Sequence, residues 1–132
     1  EAMTYQMFYQ LVTEFSGKSS QTVSKAQKHL QLAQSYLEQN YRHSTCTDAS
    51  LCDHLGLSRS YLYTIFKKGL TISPQDYLIR LRMEEARQRL RGSTEPVRQI
   101  AGEVGYHDEF TFSKAFKRYT GFSPSAYRQT RY

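Results

Sequence analysis

The sequence predicts an all-α fold in which one supersecondary element is used twice, the two copies joined by a single long helix, with a further helix at the N-terminal end. Three observations predict it. The stretch LGLSRSYLYTIFKKGLTISPQDYL returns about fifty residues later as VGYHDEFTFSKAFKRYTGFSPSAYR, and such self-similarity marks a repeated structural unit. Apolar residues recur at helical spacing, with no strand-like alternation of any length. Each copy holds a short helix, a Gly-containing turn and a second, basic helix, the pattern of a helix-turn-helix.

The register of the repeat is sharp. Phe66 pairs with Phe116, Lys67 with Lys117, Ser73 with Ser123, Pro74 with Pro124 and Tyr77 with Tyr127, all at an offset of 50. Upstream of the turn the offset is 49, pairing Leu51 with Ile100, Cys52 with Ala101, Leu55 with Val104 and Gly56 with Gly105. The second copy has therefore gained one residue between Gly105 and Asp108.

The elements follow in order. Residues 3–15 place Met3, Met7, Leu11 and Phe15 four apart, an apolar helical face. Ser16-Gly17-Lys18-Ser19-Ser20 breaks it, so this helix reads either as the trailing end of a preceding domain or as packing on the core behind it. Val23, Ala26, Leu30, Ala33 and Leu37 form one stripe of a helix over 22–41. Thr47 caps a short helix over 48–55 that stops at Gly56, and Ser58 caps the next, over 59–68. Ser73 and Pro74 open a longer helix, since proline suits the first helical position behind a serine cap. It runs to Arg91, eighteen residues and about 27 Å. Helices over 96–104 and 108–119 belong to the second copy, and Ser123-Pro124 opens a terminal helix running to Tyr132. The domain reading is an N-terminal helix and linker at 1–19, then 20–132 as one unit: a first helix-turn-helix at 22–73, a linker helix at 74–92 and a second helix-turn-helix at 93–132.

At 132 residues the chain suits one domain or two very small ones on a shared scaffold. It begins at Glu1 rather than Met, which suggests a fragment of a longer protein. No apolar run of about 18 residues exists to span a membrane, and no signal-peptide pattern is visible. The net charge of +6 is unevenly placed: residues 1–50 carry four basic and four acidic residues, and 51–132 carry fourteen against eight. A surplus confined to the repeat favours a polyanionic partner.

Cys46 and Cys52 are too few for a disulfide scaffold and read as buried thiols of a cytoplasmic protein. A metal site using Cys46, Cys52 and His54 matches no common zinc spacing and is rejected. No cofactor is expected. The four histidines (29, 43, 54 and 107) are scattered, with no HExxH, phosphate loop or nucleophile–base pair, so an enzyme is not expected.

The basic helices carry the chemistry. On the first, Leu62, Ile65 and Phe66 face inward and leave Ser60, Tyr63, Thr64 and Lys67 on the other side. On the second, Phe112, Ala115, Phe116 and Tyr119 face inward and leave Phe110, Ser113, Lys114 and Lys117, the same four positions shifted by 50. In a helix-turn-helix this face enters the major groove. Lys114 suits guanine O6 or N7, the hydroxyls of Ser60, Thr64 and Ser113 are permissive partners, and Phe110 suits a thymine methyl unless its ring tucks under the first helix. Arg59, Lys67, Lys68, Lys117, Arg118 and Arg128 are candidates for phosphate contacts, which position without reading sequence. The arginines of the long helix are weaker candidates because Glu84 and Glu85 can pair with them along its surface. The non-DNA alternative is a helical protein-interaction module with a basic face.

At these residues the sequence resembles the C-terminal DNA-binding domain of the AraC/XylS family of bacterial transcription regulators. GYHDEFTFSKAFKRYTGFSPSAYR carries the resemblance, with Gly105, Asp108, Phe112, Phe116, Lys117, Gly121, Ser123, Pro124, Tyr127 and Arg128 in register; LGLSRSYLYTIFKK matches equally well. The resemblance covers residues 22–132. It implies two helix-turn-helix units joined by one helix, binding of double-stranded DNA, and activation of a nearby operon, with RNA polymerase as a further partner. It also implies a small-molecule effector acting through a domain absent from this chain, and it makes sugar metabolism a common role. Carried over by position, base readout falls to Ser60, Tyr63 and Thr64 in the first copy and to Phe110, Thr111, Ser113 and Lys114 in the second. The chain departs from the family in having Thr71 where Gly is usual. A left-handed cap is uncomfortable for a β-branched residue, so Gly69 is expected to end that helix two residues early.

Overall fold

The computed structural model describes residues 24–130. Within them the chain forms seven helices: α1 (Lys25–Asn40), α2 (Asp48–Leu55), α3 (Arg59–Leu70), α4 (Pro74–Gly92), α5 (Val97–Glu103), α6 (Glu109–Thr120) and α7 (Pro124–Gln129). Strands are absent among the described residues, so the all-α expectation holds there. The N-terminal helix expected over 3–15 lies outside the described residues, as do the last two residues of the helix expected to reach Tyr132; α7 ends at Gln129.

Caps set most boundaries. Ser24 and Thr47 close reciprocal capping boxes with Gln27 and Ser50. Ser58, Ser73, Asp108 and Ser123 each accept a backbone N–H from three residues on, which satisfies a donor the helix itself leaves open.

The repeat is visible in three dimensions, and its extra residue can be assigned. Leu57 N–H donates to the Cys52 carbonyl at 3.0 Å, and Tyr106 N–H donates to Ala101 at 2.9 Å, both at the offset of 49. Beyond the turn, Ser58 caps Tyr61 and Asp108 caps Thr111, at the offset of 50. The added residue is therefore His107.

Two side-chain clusters form the interior. Leu30, Ala33 and Leu37 of α1 pack with Leu51, Leu62, Phe66 and the first half of α4, through Tyr77, Leu78 and Leu81. Met83, Ala86 and Leu90 of the second half of α4 pack with Ile100, Val104, Phe112, Phe116 and Tyr127. One helix thus serves both cores, and the crossover falls between Leu81 and Met83.

Arg82 sits at that crossover and is only 8% exposed. Its Nε donates to the Tyr41 carbonyl at 2.8 Å, and its Nη2 donates to those of His43 at 3.0 Å and Cys46 at 3.1 Å. Burial pulls its pKa below the usual arginine value. Three carbonyl acceptors, and the Tyr106 ring centred 5.3 Å from its Cζ, offset the lost hydration. The expectation that the arginines of α4 pair along its surface holds for Arg87 with Glu84 and for Arg89 with Glu85; Arg82 departs from it.

The first basic helix also departs from expectation. It continues through Gly69 to Leu70, and Thr71 takes the left-handed cap at φ 64. Gly121 holds the equivalent position at φ 90, so the repeat preserves the backbone shape where the residue type changed. Gly69 serves packing instead: a Cβ there would collide with the Leu30 side chain.

Candidate nucleic-acid interface

Helices α3 and α6 each lie second in a helix-turn-helix and are held by their apolar sides. Leu62, Ile65, Phe66 and Leu70 are buried on α3, and Phe112 and Phe116 on α6. Fixing these sides against the cores leaves the opposite sides to solvent. Ser60, Tyr63, Thr64, Lys67 and Lys68 are exposed on the first; Phe110, Thr111, Lys114, Lys117 and Arg118 are exposed on the second, with Ser113 half-buried.

Tyr119 was expected on the inner side of α6 and is instead 36% exposed. Its hydroxyl donates to Glu84 of α4 at 2.8 Å, because the end of α6 runs past the second core; burial, followed by this bond to the carboxylate, pushes its pKa up to about 12. Ala115 is half-buried and packs against the second core.

Phe110 does not tuck under the first helix of its unit. It is 72% exposed, and the Lys114 ammonium lies 5.0 Å from the centre of its ring. On α3 the same i, i+4 relation places Lys67 5.8 Å from the ring of Tyr63, which is 47% exposed. Each helix thus presents an aromatic ring with a cation against it, a combination able to meet both the apolar and the electronegative parts of a base edge.

The hydroxyls are partly engaged. Thr64 Oγ1 donates to the Ser60 carbonyl at 2.9 Å, and Thr111 Oγ1 donates to the Asp108 carboxylate at 3.1 Å. Both oxygens retain lone pairs to accept from a cytosine or adenine amino group.

The cations divide into two groups. Lys68, Lys114, Lys117 and Arg118 make no ion pair among the described residues and stand available to phosphate. Arg59 is engaged, 3.1 Å from both carboxylate oxygens of Asp48, although it remains exposed; an exposed pair of this kind is weak and open to exchange. Arg128 faces inward, its Nε donating to the Leu90 carbonyl at 3.0 Å near the end of α4. Arg98 of α5 was not singled out by the sequence; it is exposed and forms no ion pair among the described residues. Its repeat position is Ala49, so comparing the two copies gave no sign of it.

Cys46 and Cys52 are buried and unbridged, and burial pushes both thiols above their ordinary pKa. No group of side chains among the described residues could hold a metal ion, and none of the helices there is long and apolar enough to cross a membrane.

A family model described as a helix-turn-helix domain matches residues 51–130, from within α2 through α7. The chain belongs to the AraC/XylS family of helix-turn-helix regulators. Among relatives of the family, it is 48% identical over 129 residues to the raffinose operon transcriptional regulatory protein RafR of Pediococcus pentosaceus. That match takes in 98% of this chain and 46% of RafR, so the chain spans about half of that relative's length. Among solved structures it resembles the C-terminal domain of AraT, a response regulator from Geobacillus stearothermophilus, with a TM-score of 0.77 and 35% identity over 82% of this chain and 89% of that one. The DNA-binding domain of AdpA, solved in complex with a target DNA, shares the fold at a TM-score of 0.68 and 24% identity, over 75% of this chain and 88% of that one.

Proposed function

We propose that this chain is the DNA-binding part of a bacterial transcription regulator, and that α3 and α6 enter successive major grooves of one duplex. The observation that carries this reading is the pair of repeat-related helix faces, each exposed, each bearing an aromatic ring with a lysine against it, and each held by a buried core on its other side. Base readout falls to Ser60, Tyr63 and Thr64 in the first unit and to Phe110, Thr111, Ser113 and Lys114 in the second. Phosphates are held by Lys67, Lys68, Lys117 and Arg118, with Arg59 exchanging Asp48 for phosphate; Arg128 holds the end of α4 in place.

Activation of a nearby operon is the regulatory direction typical of the family, with RNA polymerase as the further partner. RafR is named for the raffinose operon, and its likeness to this chain supports a sugar-utilisation operon as the target. A small-molecule effector would act through a separate domain, and the site of action is the cytoplasm, where the chromosome lies.

Selection of bound sites from a random duplex library tests the proposal. The expected result is one asymmetric motif with two blocks about one helical turn apart. Enrichment of no sequence above competitor DNA would overturn it.

A further inference from the structure

Resting on the DNA-binding reading above, we propose that Arg82 is a positioning residue that sets the spacing between the two half-sites the protein accepts. Arg82 stands on α4 between the residues that serve the first core and those that serve the second, and it bonds three carbonyls of the segment 41–46. That segment ends at Cys46, immediately before the Thr47 cap of α2, so it leads directly into the first helix-turn-helix.

On its other side the same guanidinium meets the turn of the second helix-turn-helix. Gly105 stands at φ 107, and a Cβ there would lie 2.5 Å from the Tyr41 carbonyl oxygen and 2.8 Å from Arg82 Nε. The backbone of the second turn therefore lies directly on both the first unit's carbonyl and the arginine that holds it. Tyr106, next in the chain, offers its ring to Arg82 and packs edge-on against Phe112 of α6, with centroids 5.6 Å apart. A continuous set of contacts thus runs from the entry to α2, through Arg82, to the buried side of the second recognition helix.

A linker helix alone would leave the two units free to flex about it. The Arg82 cluster ties them at a second place, off the axis of α4. A charged network lies alongside: Arg42 and Tyr41 bond Glu85, which bonds Arg89, which reaches Glu95 and Glu103 near the start and end of α5. Those links are partly exposed, and exposed ion pairs constrain geometry weakly. Three hydrogen bonds from one buried cation constrain it strongly.

The consequence is legible on DNA. Inserting one base pair between half-sites rotates the second by about 35° and moves it about 3.4 Å. A rigid pair of units cannot follow; a loosened pair can.

The test measures affinity for duplexes carrying the selected site with one or two base pairs added to or removed from the spacer, using the full chain. The unchanged protein is expected to lose about tenfold or more per base pair of change, comparable to a mismatch within the site. Arg82→Lys keeps the charge but cannot serve three carbonyls from one planar group. It is expected to flatten the spacer profile to within about threefold while base preferences inside each half-site stay unchanged. Tyr106→Leu, which removes the ring and keeps apolar packing on Phe112, is expected to broaden the profile in the same direction and decides the matter if Arg82→Lys does not fold. A profile as sharp in the folded variant as in the unchanged protein would overturn the role of Arg82, and so would a profile already flat in the unchanged protein. Failure of the unchanged protein to select any DNA would instead overturn the DNA-binding reading beneath it.

Discussion

The Lys114 ammonium lies 5.0 Å from the centre of the Phe110 ring, one helical turn away on the exposed side of α6. The corresponding pair on α3, Tyr63 and Lys67, is not the repeat counterpart of this one. At the offset of 50, Phe110 aligns with Ser60 and Tyr63 aligns with Ser113. The aromatic–cation pair therefore sits nearer the N-terminus on α6 and about one turn further along on α3. On the DNA-binding reading proposed above, in which the N-terminal residues of each recognition helix reach deepest into the groove, the two units are expected to select two unlike half-sites.

Changing Phe110 to Ser is expected to leave thermal stability within about 0.5 kcal/mol, because the ring is exposed and outside both cores. Preference for thymine at one position is expected to fall. Lys114→Ala is expected to cost about 1–3 kcal/mol against the best site and to relax preference at one base pair. Melting curves, paired with affinities for a set of single-base variants, check both. A large drop in melting temperature for Phe110→Ser with preference intact would place the ring in the fold rather than in readout.

Binding should depend steeply on salt. If about 5–8 phosphates are neutralised, log affinity falls with log salt at a slope of about −5 to −7. Lys117→Ala is expected to reduce that slope by about one and to weaken all sequences alike, since a phosphate contact carries no base information. Titrations at several salt concentrations measure both quantities, and a slope near zero would remove duplex DNA as the partner.

Thr71 holds a left-handed cap at φ 64, a conformation that costs a residue with a Cβ about 1–2 kcal/mol. Thr71→Gly relieves that cost and adds back some unfolded-state entropy. The expected balance is a gain of about 0.5–1 kcal/mol, seen as a higher urea midpoint with an unchanged slope. A loss of stability would mean that the Thr71 side chain contributes more than its backbone costs.

Glu85 shapes the acid limit. Burial alone would raise its carboxyl, but hydrogen bonds from Tyr41, Arg89 and Arg42 outweigh that and hold it below the ordinary glutamate value of 4.5. A carboxyl depressed in the folded state takes up a proton less readily there than in the unfolded chain. Its contribution is complete above about pH 4.5 and is lost as pH falls through the folded-state value. Glu85→Gln is therefore expected to melt lower at neutral pH and to show a flatter decline on acidification. Melting temperatures from pH 7 down to about pH 3 compare the two, and parallel acid limbs would contradict the assignment.

Much of this architecture is written in local sequence signals. Ser73-Pro74 and Ser123-Pro124 mark two helix starts because proline and a serine cap act within one turn of chain. The exposed faces of α3 and α6 follow from 3.6-residue periodicity in the same way. Where local signals misled, the deciding partner lay far along the chain. Gly69 looks like a stop, but its lack of a side chain makes room for Leu30. Tyr119 has the spacing of a core residue, and only the course of α6 past α4 exposes it to Glu84. Arg82 is one of five arginines between 80 and 91. Its acceptors lie 36 to 41 residues away, and no pattern within α4 distinguishes it from its neighbours.

Both units are proposed to read one duplex from the same side. Helix α4 has nineteen residues and is therefore about 28 Å long, a little shorter than the roughly 34 Å between successive major grooves. Bending of the DNA towards the protein by a few tens of degrees, at a cost on the order of 1–6 kcal/mol, would bring the second groove within reach. Hydroxyl-radical footprinting of this chain on its selected site distinguishes one engaged unit from two. The predicted result is two protected patches on one face of the helix, one turn apart, from a single chain on an asymmetric site. Protection of only one groove segment would contradict it, because one of the two units would then not engage DNA.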